Sequence, residues 1–289
     1  MLCEISNDRE SKTAWFTRAL AKDRFETWFQ PVVDTSEHRI LGHECLIRYS
    51  DEQTRDGEQI FEAARSHNVV PVFDWRAMAL AVRSASLQKI GSGGIYFVNM
   101  LPASMADPEV ALRPALEALS SSSLKPRDLV FETVDSDLTG DSGRLRAVHD
   151  YLRSHGCGFG LDNAGVGSSS FELIRDLRPE YVKIDRRLVW NAEQPACAAT
   201  IRKIVELADR YGSEAIAVGV ERPRMVENLW LLGVKAMQGY LFGRPSRRVA
   251  RSGAPIVSSA GTDLANLALA LEPSQSSVLH QTPLFADLN

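Results

Sequence analysis

Between residues 25 and 245 the chain repeats one rhythm: a short apolar or alternating run, then a longer run with apolar positions three and four apart. The short runs predict strands at 27–33, 39–47, 94–99, 128–134, 158–162, 181–184, 215–218 and 236–238. The longer ones predict helices at 59–66, 74–87, 110–119, 144–154, 171–177, 197–211 and 224–232. Strand-helix alternation implies a parallel α/β fold, and about eight strands in about 220 residues suit a closed barrel. The first pair breaks the pattern, because the few residues between Val33 and Arg39 cannot hold a crossover helix. An antiparallel hairpin is expected there.

Residues 12–24, with Trp15, Phe16 and Leu20 at helical spacing, predict a helix packed on the body. After Pro245 come Arg247, Arg248 and Arg251, then a Ser/Ala/Leu/Thr-rich stretch. Leu264, Leu267 and Leu271 suit one short docking helix that Pro273 ends; the rest reads as disordered. The expected organisation is a helical segment (1–24), a barrel (25–248) and a tail (249–289).

A length of 289 residues at 44% hydrophobic content allows one large core or two modest ones. No apolar run reaches membrane-spanning length and the N-terminus lacks signal-peptide order, so a soluble cytoplasmic protein is expected. Cys3, Cys45, Cys157 and Cys197 are too scattered for a zinc site or disulfide framework. A net charge of −4 with dispersed Lys and Arg argues against a nucleic-acid polymer, while a small phosphate ligand needs only a few local cations.

Parallel barrels place chemistry where strands end. The polar residues at or near those ends are Glu44, Asn99, Glu132, Asp162 with Asn163, Lys183, Glu221 and Gln238. Each alone is an ordinary surface or capping residue; their recurrence at corresponding positions is what counts. Glu44, Asn99, Glu132 and Asp162 offer hard oxygen donors, which select Mg²⁺, Mn²⁺ or Ca²⁺. Lys183 adds a compact cation for a phosphate or a neighbouring acid. The set describes a divalent-metal site for a phosphate ester. The stretch Gly158-Phe159-Gly160-Leu161-Asp162-Asn163-Ala164-Gly165-Val166-Gly167-Ser168 reads as a strand entering a glycine-bearing loop, with a helix starting near Ser169.

These blocks resemble the EAL domain family of cyclic di-GMP phosphodiesterases, over about 25–245. The matching stretches are Gln30-Pro31-Val32-Val33-Asp34; Gly42-His43-Glu44-Cys45-Leu46-Ile47-Arg48, where Glu-Ala-Leu reads Glu-Cys-Leu; Phe97-Val98-Asn99; Val130-Phe131-Glu132-Thr133-Val134-Asp135; Leu161-Asp162; Val182-Lys183-Ile184-Asp185; Gly219-Val220-Glu221; and Gln238-Gly239-Tyr240-Leu241-Phe242-Gly243-Arg244-Pro245. The resemblance implies a modified (β/α)₈ barrel with one antiparallel strand. It implies that Glu44, Asn99, Glu132 and Asp162 ligate a first metal and that Lys183 helps arrange the nucleophilic water. Gln30 and Arg48 match ligand-contacting positions, and Glu221, Gln238 and Pro245 match positions near the metal and the guanine pocket.

Three positions depart from the catalytic pattern. Asn163 stands where members carry a second acid that ligates a second metal. Val218 stands at the general-base glutamate, and valine neither accepts a proton nor binds a metal. Asp135 replaces a loop-bracing glutamate, beside a loop changed at Ala164, Val166 and Ser168. Glu221 and Asp185 are the neighbouring acids that would have to replace the base. The expectation is a degenerate member that binds cyclic di-GMP, a protein partner or both, with one metal site and a second in doubt. The alternative is an active phosphodiesterase releasing linear pGpG. A homodimer is compatible with either.

Overall fold

The computed structural model describes residues 13–50, 54–88, 94–134, 142–167 and 169–250. Asp135, Ser168 and the expected tail helix therefore lie outside the described residues. A helix over 13–21 (α1) precedes β1 (Phe25–Asp34), β2 (Arg39–Ser50) and a two-residue β3 (Thr54–Arg55). Then follow α2 (Gly57–Ser66), α3 (Val70–Ser86), β4 (Ile95–Asn99), α4 (Pro108–Ser120), β5 (Leu129–Val134), α5 (Ser142–Ser154), β6 (Gly158–Ala164) and α6 (Ser170–Leu177). The last elements are β7 (Tyr181–Ile184), α7 (Arg186–Trp190), α8 (Pro195–Tyr211), β8 (Glu214–Val218), α9 (Pro223–Leu231) and β9 (Ala236–Gln238).

Eight strands close a ring in the order β1, β2, β4, β5, β6, β7, β8, β9 and back to β1, with β3 attached only to β2. β1 runs antiparallel to both neighbours, and the remaining contacts around the ring are parallel. The turn after β1 is built locally: Asp34 Oδ1 accepts from the Ser36 and Glu37 amides and the Ser36 hydroxyl, while His38 takes a left-handed φ of 51°. A turn this tight leaves β2 no course but antiparallel.

Alternation along the strands sorts side chains to the two faces of the wall. Outward residues such as Tyr96, Val98, Leu129, Phe131, Phe159, Leu161 and Val182 pack under the helices as the main core. Inward, Val32, Leu41, Phe97, Val130, Ile216 and Ala236, with Ile95 and Tyr181, fill the lower barrel. A β-bulge sets the inward phase of β2: Val33 pairs with Ile40 and Val32 with Gly42, leaving Leu41 as the extra residue. Leu41 thus joins the lower filling, and the next inward side chain with chemistry is Glu44.

Two differences from expectation bear on the site. β2 extends to Ser50, beyond 47, so Glu44 lies in mid-strand and not at its end. The overhang survives because Tyr49 packs with Trp15, Phe16, Phe25, Ile60 and Phe73 in a second cluster above the barrel mouth. The five-residue α7 was not anticipated; Asp185 caps it by accepting from the Arg187 amide. Beyond β9, Ser246 exchanges both backbone hydrogen bonds with Phe29, and Arg247 grips Glu26 at 2.7 and 2.9 Å. The chain then reaches Ala250, whose amide donates to His43 Nε2.

Candidate functional site

Above the apolar filling, the inward positions form a polar ring: Gln30, Glu44, Asn99, Glu132, Asp162, Lys183 and Gln238. Cross-strand register brings them together. Gln30 faces Glu44, Asn99 is level with Glu132, and Val134 is level with Asp162. Lys183 is at the centre, 2.6 Å from Glu132 Oε1 and 3.2 Å from Glu44 Oε2, with its ammonium 5.2 Å from the centre of the Phe97 ring. Asn99 donates to Glu44 Oε1 at 2.9 Å and Gln238 donates to Glu44 Oε2 at 2.7 Å. Gln238 also reaches Gln30 Oε1 at 3.3 Å, and Gln30 donates to the Gly243 carbonyl. Gln238 Oε1 has no hydrogen-bond partner although the residue is buried.

The electrostatics follow from burial. Burial alone pushes the Glu44 carboxyl up, but Lys183, Asn99 and Gln238 more than offset it and hold the group below its usual range. Glu132 and Asp162 are pushed up, by burial first and then by the neighbouring carboxylates, against the pull of Lys183. Burial weakens the Lys183 ammonium, yet Glu132, Glu44 and Asp162 together hold its proton more tightly than usual. Three carboxyls thus share one ammonium. Lys183 occupies the place where Glu44 and Glu132 converge. Among the described residues no group of three or more His, Cys, Asp or Glu converges closely enough to hold a metal ion.

Asp162 and Asn163 occupy an irregularity where the β6–β7 register shifts between Leu161 and Ala164. Asn163 has φ 57°, a left-handed conformation that Asn and Asp tolerate better than other side chains. Its amide donates to Asp162 Oδ1 at 2.8 Å. Gly165 follows at φ 94°, where an added Cβ would lie 2.5 Å from Leu188 Cδ1. Val218 ends β8 beside Gln238 and, two residues after the inward Ile216, faces the ring. It is the apolar side chain at this level.

The other expected residues lie around the mouth. Arg48 is half-buried and donates to the Ile47 carbonyl; with Glu44, Asn99, Asp56 and Phe61 it lines a cavity of about 360 Å³. Pro245 is half-buried between Gly243, which Gln30 holds, and Ser246, which pairs with Phe29. Glu221 is exposed in a separate cleft of about 550 Å³ with Trp190, Arg222 and Asn228. A larger hollow of about 710 Å³ opens at the opposite end of the barrel, beside Arg127, Gly156, Glu180 and Ser213. Sequence reasoning missed Phe97 as the floor beneath Lys183, although it lies two residues before Asn99 on the inward face. It also missed the Tyr240–Arg244 stack at the rim, with 4.2 Å between guanidinium and ring.

The profile of the EAL domain family matches residues 13–245. The cyclic di-GMP phosphodiesterase RocR of Pseudomonas aeruginosa is 28% identical over 234 residues, covering 79% of this chain and 59% of RocR. Among solved structures, the MucR phosphodiesterase in complex with c-di-GMP, MucR being a Pseudomonas aeruginosa protein, is 26% identical with a TM-score of 0.72, covering 80% of this chain and 95% of that one. Klebsiella pneumoniae BlrP1, in a manganese and cyclic di-GMP complex, shares the fold at 24% identity and a TM-score of 0.71, covering 77% of this chain and 56% of that one. The match spans about a third to three fifths of the first curated relatives. No helix among the described residues is long and apolar enough to cross a membrane. The closed barrel with one antiparallel strand, the ring at its mouth and the match over 13–245 lead to one conclusion: this chain belongs to the EAL domain family.

Proposed function

We propose that this chain binds cyclic di-GMP as a receptor or protein-interaction regulator, with little or no hydrolysis. The observation that carries the reading is Val218, an apolar side chain in a ring that otherwise keeps its acids, amides and lysine. A positioned base contributes about 10²–10⁴ in rate. Asp185 follows Ile184, which pairs with Ala217, so it stands level with Val218. Its carboxylate, however, accepts from the Arg187 amide and the Arg187 side chain, which commits it to capping α7. Glu221 is turned into a different cleft. Neither replaces the lost base.

The donor chemistry suits one hard divalent cation, held by Glu44, Glu132, Asp162 and Asn99. Asn99 Oδ1 has no partner among the described residues, and three carboxyls that share a single lysine favour such an ion. When bound, the cation would neutralise that charge and draw a phosphate oxygen of the ligand. A second ion would lack the acid that Asn163 replaces, and Val218 offers it no donor. Arg48, at the cavity beside Glu44, has the planar donor fork for a phosphate or a guanine edge.

Calorimetry with cyclic di-GMP, with and without Mg²⁺ or Ca²⁺, tests the receptor role. Binding lost in Arg48→Ala is expected, and no binding at high micromolar ligand under either condition would leave only the protein-partner role. Incubation with Mg²⁺ or Mn²⁺ followed by chromatography tests the alternative; pGpG release that disappears in Glu44→Ala would establish an active phosphodiesterase.

A further inference from the structure

Asp74 is 1% exposed on α3, and no cation pairs with it among the described residues. An isolated carboxyl is costly to bury, so the position calls for something only an acceptor supplies. Asp74 Oδ2 accepts the Leu101 amide at 3.0 Å, and the Trp75 indole donates to the Ser104 carbonyl at 2.9 Å. Two consecutive residues of α3 thus hold both ends of the 3₁₀ turn Pro102–Ser104, which has no side-chain cap of its own.

That turn directly follows Asn99. The Met100 amide donates to the Glu132 carbonyl at 2.9 Å and the Leu101 amide to Asp74, so both peptide groups after Asn99 are anchored. Asn99 in turn donates to Glu44 Oε1 from the rim, where little else packs against it. We propose that Asp74 is a positioning residue: by holding Leu101 it fixes the backbone that presents Asn99 to Glu44. This deepens the ligand-site reading, on which it rests for the importance of Asn99, while its geometry concerns the free protein alone. Without Asp74 the part-buried Leu101 amide loses its acceptor, and the turn relieves it by moving toward water, taking Asn99 along.

The experiment is NMR of the ¹⁵N-labelled full chain without ligand, following the Asn99 side-chain amide and hydrogen exchange at Leu101. Asp74→Ala should move the Asn99 Nδ2 signals toward those of a free amide and speed Leu101 exchange ~10-fold or more. Asp74→Asn, whose side-chain oxygen still accepts, should keep both near wild type. Leu229→Ala, a distant core truncation, should leave the Asn99 signals in place and so separate positioning from general loosening. Should Asp74→Ala not fold, Asp74→Glu displaces the acceptor and is read by the same signals. Unchanged Asn99 signals in the displaced-acceptor variant, or equal changes in Asp74→Asn and Asp74→Ala, would overturn the proposal. Cyclic di-GMP affinity does not enter these readouts, so failure of the receptor role and failure of this inference are separate results.

Discussion

The proposed loss of hydrolysis rests on two side chains, Val218 and Asn163, and both suit their backbones. Asn163 occupies a left-handed conformation that aspartate also accepts. Val218 is half-buried at the mouth, where a longer polar side chain can face the ring. Val218→Glu with Asn163→Asp should therefore fold and raise cyclic di-GMP hydrolysis by about 10²–10⁴ over the parent, measured as pGpG by chromatography. Failure of this double variant to gain activity would mean that more than these two groups has been lost.

Asp74 gives a second residue-level prediction. Burial raises its carboxyl from 3.8 to about 7. Between those values the folded chain keeps a proton that the unfolded chain releases, so stability falls as pH rises through the window. Below it both states are protonated and nothing is lost; above it the cost is complete, at most roughly 4 kcal/mol. Denaturation of wild type and Asp74→Asn from pH 4 to 8 should show the variant gaining on wild type across the window. Parallel curves would contradict the buried carboxyl.

At the level of elements, the β1–β2 hairpin was legible because turn length alone forbids a crossover. Its inner detail was not. Residues 39–47 carry no sign that Leu41 is an extra residue, and the bulge appears only when β1 and β2 are paired. Nor does the run announce an end at Ser50, because that end is fixed by packing against α1 and α2. Gly42 marks a tight spot in β2, where an added Cβ would collide with the Ile95 carbonyl oxygen. Backbone on both sides cannot yield by rotating a side chain, so Gly42→Ala should cost about 3 kcal/mol or lead to misfolding, read by urea unfolding. The brevity of α7 explains why it escaped notice: five residues give too few turns for a 3.6-residue period.

For the molecule as a whole, the decisive quantity is uncompensated charge inside a closed wall. Glu44, Glu132 and Asp162 share one lysine, and in the function proposed above a divalent cation completes the balance. Ca²⁺ or Mg²⁺ should therefore raise the melting temperature. At a hundred times Kd the gain is about 2.7 kcal/mol, or roughly 5–10 °C for a domain of this size. Glu44→Ala should abolish the shift while remaining folded. An identical shift in the variant would place the ion elsewhere.

The strand-helix alternation, the antiparallel start and the identity of most of the ring follow from periodicity and residue type, which are local properties. The sequence also carries Asn163 and Val218, on which the proposal of little or no hydrolysis rests. How those residues meet depends on the folded barrel. Lys183 lies between Glu44 and Glu132, Glu221 belongs to another cleft, and Asp185 is committed to α7. These are outcomes of cross-strand register and helix packing, which bring together side chains some 200 positions apart, such as Gln238 with Glu44 at 194 and with Gln30 at 208. No local pattern encodes a distance across the barrel; closing the wall sets it.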